Sequence, residues 1–428
     1  MLNYFTDPLL WAPTIGSILM CVASSLIGVV AFLRKRCLLA EALSHSAYPG
    51  IVIGALLLAT VFTSVGEFAS LVILGCAFLS SLGGLLLVEF MERRLGVKSD
   101  AALCFALSVL FGIGILIASR IQMTHPLWYN QIHLFLYGQV ATMTALHVGI
   151  YSILLAATVF FLFFLYRPLQ LINFDRQLAK TLGARVKLVD ALLFLLLVLA
   201  IVIGIRSVGV VLMSGMLVAP AVAARQLTHR MWLLFVLAGA FGALSGFFGN
   251  FLSMELPKLF DQGEAISLPT GPMILLSASL ICALSLLFSP TTGLFSRILR
   301  IARFKDKCRL ENALKALWRG GEGWQRASGK VSTFQLYRLL FKGWVEKGEK
   351  GQFRLSEKGR RRSAEIVRLH RLWELYLVSL GQGVEKVHHS AEEMEHILTP
   401  HLERELTEFL EDPTHDPHQQ PIPGRIHV

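Results

Sequence analysis

The chain has 428 residues, of which 54% are hydrophobic, with a formal net charge of +11 and a mean hydropathy of +0.59. This composition is too apolar for an ordinary soluble protein. The apolar residues fill 1–290 and then stop, so the sequence predicts a membrane domain over 1–290 followed by a polar region. The six cysteines are scattered without paired spacing, which indicates neither a disulfide framework nor a cysteine metal cluster.

The membrane domain is predicted to be all-α and polytopic, with about nine transmembrane helices. A hydrocarbon core of roughly 30 Å requires about 20 apolar residues in a helix. The segments that meet this requirement are 13–33, 46–66, 69–90, 101–119, 144–165, 187–205, 207–224, 231–251 and 271–289. The division between two of them around Arg206 leaves a count of eight open.

The placement of Lys and Arg predicts the orientation of these helices. With the N-terminus outside, the inside loops hold 13 of these residues and the outside loops hold 3. Because basic residues are retained on the cytoplasmic side, nine spans place the C-terminus in the cytoplasm. We expect the membrane to be the cell inner membrane. The first apolar run ends in Arg34-Lys-Arg36 rather than a cleavage site, so we expect no cleavable signal peptide.

Residues 41–50, Glu-Ala-Leu-Ser-His-Ser-Ala-Tyr-Pro-Gly, place ionisable side chains beside a membrane span. Glu41 and His45 are four residues apart and share one helix face. Ionisable residues at a membrane helix are expensive, which makes the pair a candidate functional site. A hydrated helix end, with both side chains in water, explains the spacing equally well. Pro49 and Gly50 are predicted to break the helix.

A second informative segment is 174–186, where apolar residues recur every four positions between charged ones. The pattern predicts a short amphipathic helix on the cytoplasmic side. Such a helix either rests on lipid headgroups or docks on a separate ATPase subunit. The sequence contains no Gly-x-x-x-x-Gly-Lys-Ser/Thr phosphate-binding loop, so it offers no nucleotide site and ATP hydrolysis would require another chain.

Four segments resemble the manganese/zinc/iron permeases of ABC transporters. Residues 41–50 resemble the family's Asp-Ala-Ile-Ser-His-Ala-Val-Leu-Pro-Gly, with Glu41 in place of Asp. Residues 182–183 resemble the coupling segment of ABC importers. Residues 208–224 resemble the family's small-residue helix ending in Pro-Ala-x-x-Ala-Arg, and 268–272 match its Pro-Thr-Gly-Pro.

The resemblance covers about residues 10–290 and implies a non-enzymatic permease subunit of an ATP-driven importer. The implied partners are an ATPase subunit, an extracytoplasmic metal-binding protein, and a second permease subunit or a copy of the same chain. The implied substrate is a divalent transition metal (Mn, Fe or Zn) that contacts Glu41 and His45. The implied ATPase-coupling residues are Phe174, Asp175, Leu178, Leu182 and Gly183. A permease for a chelated metal such as a siderophore shares the coupling features and would not need Glu41 or His45.

The polar region begins with a basic linker over 291–309 and then divides by charge. Residues 303–371 hold 19 Lys and Arg against 7 Asp and Glu, whereas 372–428 hold 3 against 11. This asymmetry suggests an anionic partner for one part and a cation for the other.

A winged-helix DNA-binding-like domain is predicted over 310–367. Ser332 is a candidate N-cap for a helix with an apolar stripe, and two apolar pieces around a Gly-rich turn at 344–356 predict a hairpin. The helix would enter the DNA major groove beside the hairpin. The cations expected to meet phosphates are Lys330, Arg338, Lys342, Lys347 and Arg354. A basic domain lying on anionic membrane lipid is the alternative.

The acidic part, 368–428, is predicted to be a helical metal-binding and dimerisation-like domain. Its candidate ligands are His370 and Glu374 on one helix, then His388, Glu392, Glu395 and His396 on the next. Imidazole and carboxylate groups at helical spacing suit borderline or hard divalent metals. For any single pair, a solvated Glu/His face is the usual explanation.

Residues 305–424 resemble the iron- and manganese-dependent repressors of the diphtheria-toxin-repressor family. The resemblance is carried by 368–377 and 387–398, which match the metal-binding helices, and by 412–423, which match the closing turn. It implies that all six candidate ligands bind a metal that acts as co-repressor.

This chain departs from the repressor pattern at two places. Asn312 stands where the family supplies Asp or Met, and the first helix of the helix-turn-helix, between Gly323 and Val331, is shortened.

Taken together, the two resemblances predict a metal permease fused to a C-terminal tail, a metal-responsive repressor-like domain that acts as feedback. We expect proteolytic release of this tail in the linker. In the alternative, the tail binds metal and gates transport without contacting DNA.

Overall fold

The computed structural model describes residues 3–8, 10–61, 67–259, 268–290, 292–321, 323–326, 331–397 and 399–424. The chain forms two compact units, 1–296 and 297–428, and each has its own hydrophobic core. The predicted all-α polytopic membrane fold is confirmed for the first unit.

The described residues of the first unit are helical apart from short connections. The helices are α1 (Asn3–Thr6), α2 (Trp11–Leu33), α3 (Cys37–Val61), α4 (Glu67–Arg94), α5 (Ser99–Thr124), α6 (Pro126–Tyr137), α7 (Ala145–Phe174), α8 (Arg176–Thr181), α9 (Val186–Val208), α10 (Met213–Leu227), α11 (Met231–Leu259) and α12 (Thr270–Phe288), with a 3-10 helix at Val140–Thr142. Eight of those described are long and apolar enough to cross a membrane: α2, α3, α4, α5, α7, α9, α11 and α12.

The predicted full-length span over 207–224 is wrong. α9 continues to Val208, Gly209 turns the chain with a φ of +94°, and α10 begins only at Met213. Its 15 residues measure about 22 Å at 1.5 Å per residue, which is shorter than a hydrocarbon core of roughly 30 Å. The end of another predicted span, 46–66, lies outside the described residues.

The short α10 nevertheless returns the chain to the face at which α2 ends. Arg225, near the end of α10, lines the same cavity as Lys35 and Arg36, which follow α2. At the end of α12, the hydroxyl of Ser285 donates to the carbonyl oxygen of Ala223 in α10 at 2.6 Å. α12 therefore ends on the same face of the helical bundle as α2 and α10. We call this the basic face, because it carries Lys35, Arg36 and Arg225.

The predicted helix break at Pro49-Gly50 is also wrong, because α3 continues through both residues. Membrane helices tolerate an internal proline where neighbouring helices and side chains satisfy the freed backbone group. Gly50 serves close packing instead: a Cβ atom there would lie 2.2 Å from the carbonyl oxygen of Cys76 in α4. Small residues permit this kind of approach between membrane helices.

The remaining elements are α13 (Leu294–Arg319), β1 (Gln325–Arg326), α14 (Thr333–Phe341), β2 (Val345–Lys347), β3 (Gln352–Leu355), α15 (Glu357–Ser379), α16 (Val384–Met394) and α17 (Pro400–Phe409), with a 3-10 turn at Glu349–Gly351. The strands form an antiparallel sheet in the order β1-β3-β2. Two local predictions are confirmed: the Ser332 hydroxyl accepts the N–H of Phe334 as an N-cap, and β2 pairs with β3 as a hairpin.

Other boundaries in this region differ from the prediction. The predicted linker 291–309 is helical from Leu294 onwards, within α13. The described residues of the stretch 323–331 include strand β1 and no helix. α15 runs through the predicted domain boundary at 367/368, so both predicted domains share one helix.

Candidate metal centres

Three predicted ligands meet between α15 and α16. His370 and Glu374 lie one turn apart on α15, and α16 contributes His388. Glu374 Oε1 lies 3.1 Å from His370 Nε2 and 2.7 Å from His388 Nδ1, and the two nitrogens are 3.1 Å apart. Within the described part of the chain, this trio is the group of ligand-type side chains compact enough to hold an ion. Two imidazoles and a carboxylate suit a borderline divalent metal.

Burial and hydrogen bonding together set the protonation of this trio. Burial disfavours the Glu374 carboxylate, but the hydrogen bonds with His370 and His388 outweigh it and lower the pKa of Glu374 to about 2. Burial also disfavours the imidazolium of His370, but the hydrogen bonds with Glu374 and Glu395 raise the pKa of His370 above its ordinary value. A metal ion that binds here must therefore displace a proton.

Glu395 and Glu392 do not join the trio. Glu395 follows the end of α16 rather than lying on it, and its buried Oε2 lies 2.6 Å from His370 Nδ1, on the far side of that ring. The same oxygen accepts from Lys315 Nζ at 2.8 Å. Glu392 is half exposed, with Oε1 3.6 Å from His388 Nε2 and 3.9 Å from Lys315 Nζ.

His396 belongs to a third set of contacts. Its Nδ1 lies 2.7 Å from Glu311 Oε2 and its Nε2 lies 3.1 Å from Asn312 Oδ1. Arg362 donates to the other Glu311 oxygen at 2.6 Å. Burial raises the pKa of Glu311, but the hydrogen bonds with His396 and Arg362 outweigh it and lower the pKa. Three of the six predicted ligands thus face one point, whereas Glu395 lies between the far side of His370 and His396 Nε2, which is 3.6 Å from Glu395 Oε1.

Sequence reasoning missed Lys315 and Glu311, both on α13. They are four residues apart and lie beside the buried positions Leu310 and Leu314 on the same helix. Both are buried, Glu311 at 2% and Lys315 at 5% exposure. Their helical spacing next to an apolar row was the available signal, because an ionisable residue there has to be paired.

In the membrane unit, α3 carries Glu41 and His45 one turn apart, as the spacing predicts. The His45 ring makes an edge contact with Phe111 at a centroid distance of 4.6 Å, and its buried Nδ1 has no hydrogen-bond partner. Within the described residues, no third ligand-type side chain completes a compact group around this pair.

The predicted amphipathic helix over 174–186 is shorter than expected. Phe174 ends α7, Val186 begins α9, and only Arg176–Thr181 form α8. Asp175 divides α7 from α8, because its carboxylate accepts the N–H groups of Gln177 and Leu178 at 2.7 and 3.1 Å as an N-cap.

The segment around α8 exposes three apolar side chains. Phe174 is 85% exposed, Leu182 64% and Leu178 40%, while Gly183 ends the segment with a φ of +80°. Asp190 of α9 holds the segment against the bundle, because its carboxylate forms ion pairs with Arg176 of α8 and with Arg34, which follows α2.

The predicted phosphate-binding cations belong to the second unit. One of them, Lys330, lies outside the described residues. Arg338 pairs with Asp306, and Arg354 donates to Glu346 at 2.7 Å. Two lysines lie over aromatic rings: Lys342 Nζ is 4.7 Å from the Trp344 centroid, and Lys347 Nζ is 5.8 Å from that of Tyr337. These four cations therefore already contact acidic or aromatic neighbours.

Among the described residues, eight helices are long and apolar enough to cross a membrane, which defines a multi-pass membrane protein. Residues 6–289 match the ABC 3 transport family, and the chain belongs to this family. Residues 356–424 match the iron dependent repressor, metal binding and dimerisation domain. The predicted family, the repressor-like tail and the role as a non-enzymatic permease subunit are confirmed.

Relatives extend this likeness along the chain. A probable metal transport system membrane protein of Chlamydia pneumoniae is 37% identical over 98% of both chains. The manganese transport system membrane protein MntC of Bacillus subtilis is 31% identical, over 85% of this chain and 82% of its own. The zinc transport system membrane protein TroC of Treponema pallidum is 32% identical, over 71% and 96%. The solved structure of PsaBC from Streptococcus pneumoniae shares the fold, with a TM-score of 0.56, 23% identity, and coverage of 71% and 100%.

Proposed function

We propose that this chain is the permease subunit of an ATP-driven importer that moves a divalent transition metal across the inner membrane into the cytoplasm. The match of residues 6–289 to a transport family carries the proposal. The substrate class follows from relatives named for metal, manganese and zinc transport. Manganese, ferrous iron and zinc share ligand preferences at N/O sites, so the proposal names the class rather than one ion.

The proposed metal path passes Glu41 and His45. The unpartnered, buried Nδ1 of His45 offers a lone pair or an N–H on the helix face that also carries a carboxylate. An unpaired imidazole nitrogen in a membrane helix is costly unless it serves a transient ligand. The ion would contact this pair in passing, which agrees with the lack of a complete resident site among the described residues.

Metal uptake by the assembled transporter in proteoliposomes tests this path. Glu41→Gln and His45→Ala are expected to lower the rate of ATP-dependent uptake by at least tenfold. Glu89→Gln is the matched control, because Glu89 lies in α4 with its carboxylate paired to Arg93 and partly exposed. Undiminished uptake in both variants would reject the path and favour the alternative of a chelated metal as cargo.

The proposed ATPase contact is the exposed segment formed by Phe174, Asp175, Leu178, Leu182 and Gly183. Large apolar side chains that are exposed together beside a charged helix favour a protein partner. The segment lies next to Arg34, on the basic face of the bundle, and basic ends favour the cytoplasm. A second permease subunit, or a second copy, and an extracytoplasmic metal-binding protein complete the proposed assembly.

For the tail we propose metal-responsive feedback through the trio of His370, Glu374 and His388. The match to a repressor metal-binding domain supports this role. A tail that represses genes has to reach DNA, so we propose proteolytic release within 291–309, where α13 would first have to unwind locally from Leu294 onwards. An antibody against the C-terminus is expected to detect a soluble fragment in metal-replete cells; detection of full-length, membrane-bound protein alone would argue against release.

A second candidate is a tail that gates transport without DNA. The observation that favours it is an aromatic face on α14, where Phe341 is 96%, Phe334 69% and Tyr337 59% exposed. Such a face suits protein or lipid better than a phosphate backbone. The affinity of the detergent-solubilised chain for DNA from upstream of its own gene separates the two candidates. An affinity that falls steeply as the salt concentration rises supports a repressor, whereas no binding at low salt supports the gate.

A further inference from the structure

Lys315 lies at the centre of the charged groups of the tail. Its ammonium nitrogen is 2.8 Å from Glu395 Oε2, 3.2 Å from His370 Nδ1 and 3.9 Å from Glu392 Oε1. The lysine is only 5% exposed. A buried ammonium is retained only where negative groups compensate it, and here two carboxylates do so.

The hydrogen-bond roles at this point follow from the chemistry of the groups. An ammonium only donates, so Lys315 and the N–H at His370 Nδ1 do not bond each other but converge on the same oxygen of Glu395. The carboxylate thereby fixes the tautomer of His370. Nε2, which faces Glu374 and His388, is then the nitrogen that gives up its proton and offers a lone pair to an ion. A carboxylate behind a metal-binding imidazole is a common arrangement that orients the ring.

We propose that the Lys315 ammonium is the resident cation of Glu395, so that Glu395 and Glu392 bind no metal and Glu395 instead positions His370 for a single ion at His370, Glu374 and His388. This inference rests on the metal site proposed for the tail. It disagrees with the six-ligand set that the resemblance to metal-dependent repressors implies. A divalent ion on Glu395 would lie within about 4 Å of a buried positive charge, which strongly disfavours it.

A second lysine of α13 reinforces this arrangement. Lys307 Nζ donates to the carbonyl oxygen of His396 at 3.0 Å, directly after Glu395. His396 itself is engaged by Glu311 and Asn312. Two ammonium groups from one helix thus hold the turn after α16 in place without a metal. This turn meets the trio through the contact of Glu395 with His370.

Counting bound ions in the full-length, detergent-solubilised protein tests the proposal. Mn²⁺ is added to saturation, and the bound metal per chain is measured for each variant, so that any ion held by the membrane unit cancels in the differences. Lys315→Gln is expected to gain one Mn²⁺ per chain, and Lys315→Gln with Glu395→Gln is expected to lose it again. Lys358→Gln is the matched control, because Lys358 is exposed in the same unit.

Glu395→Gln alone keeps the proposal testable even if Lys315→Gln fails to fold. As a positioning residue, Glu395 is expected to leave the number of bound ions unchanged at saturation while its loss weakens the affinity by about 10- to 100-fold. Loss of one ion at saturation in Glu395→Gln, or no gain in a folded Lys315→Gln, would overturn the proposal. His388→Ala is expected to lose one ion; if it does not, the tail site itself is wrong, which is a separate failure.

Discussion

The imidazole Nδ1 of His396 lies 2.7 Å from Glu311 Oε2, and both side chains are less than 5% exposed. Arg362 binds the other oxygen of Glu311. This contact joins α13 to the turn after α16, through residues that are far apart in sequence.

Replacing Glu311 with Ala is therefore expected to destabilise the tail by about 3 kcal/mol, because a buried imidazole and a guanidinium lose their shared partner. Pulse proteolysis of the solubilised full-length chain in urea, followed with an antibody against the C-terminus, measures the change. Glu365→Ala is the control, since Glu365 binds the same Arg362 from a more exposed position and should cost less than about 1 kcal/mol. Equal effects of the two substitutions would contradict the assigned role of Glu311.

The stability of the metal-free tail should depend on pH in both directions. The lowered pKa values of Glu311, Glu374 and Glu395 contribute stability above the ordinary carboxyl pKa, and this is lost as the pH falls through their folded values, about 2 for Glu374. The raised pKa of His370 contributes stability below about 6.5, which is lost as the pH rises through its folded value. The pH at which the metal-free tail is most stable, measured in the presence of a chelator, should therefore lie between roughly 4.5 and 6.5.

The same proteolysis assay, repeated across pH, checks this profile. Glu374→Gln is expected to flatten the acidic limb, because the substituted side chain no longer titrates. A metal-free tail that is most stable above pH 8 would contradict the raised pKa of His370.

The contact between α2 and α10 predicts a strong position effect among glycines. A Cβ atom on Gly28 would lie 1.8 Å from the carbonyl oxygen of Leu217, whereas one on Gly75 of α4 would meet nothing within 4 Å. Gly28→Ala is therefore expected to cost about 3 kcal/mol or to prevent folding, and Gly75→Ala to be neutral or slightly stabilising. The yield of monodisperse protein and its melting temperature in detergent compare the two.

Asp190 should be required for coupling rather than for assembly of the membrane unit. Asp190→Asn removes the charge that binds both Arg34 and Arg176, so the ion pairs that tie α8 and the end of α2 to α9 are lost. In proteoliposomes with the ATPase subunit, metal uptake per ATP hydrolysed is expected to fall several-fold while the amount of inserted protein stays unchanged. An unchanged ratio would show that α8 is held without Asp190.

Much of the membrane fold follows from local pattern. Apolar runs predict the spans, because a helix in lipid must satisfy its backbone internally and present apolar side chains. The same reasoning failed over 207–224, where the apolar run continues through Gly209 although the helix does not. It also failed at Pro49, where α3 continues, because a membrane helix tolerates an internal proline when its surroundings satisfy the freed backbone group. Hydropathy reports the environment of a segment, not the backbone conformation within it.

In the tail, helical spacing correctly paired His370 with Glu374, since both lie on one helix and one turn separates them. Spacing could not assign Glu395 and His396, because they follow the end of α16 and point to different neighbours. Those neighbours, Lys315 and Glu311, come from α13, more than 70 residues earlier in the sequence.

The sequence by itself thus determined the class of this protein: a polytopic membrane chain, its basic face, and a polar tail with His and Glu at helical spacing. These properties depend on composition and on residues within a few turns of each other. Only the tertiary structure decided that Lys315 faces Glu395 and that three of the six candidate ligands meet. Whether a carboxylate faces a metal ion or an ammonium depends on which helix packs against it. The packing of the helices is in turn determined by the whole hydrophobic core of the tail.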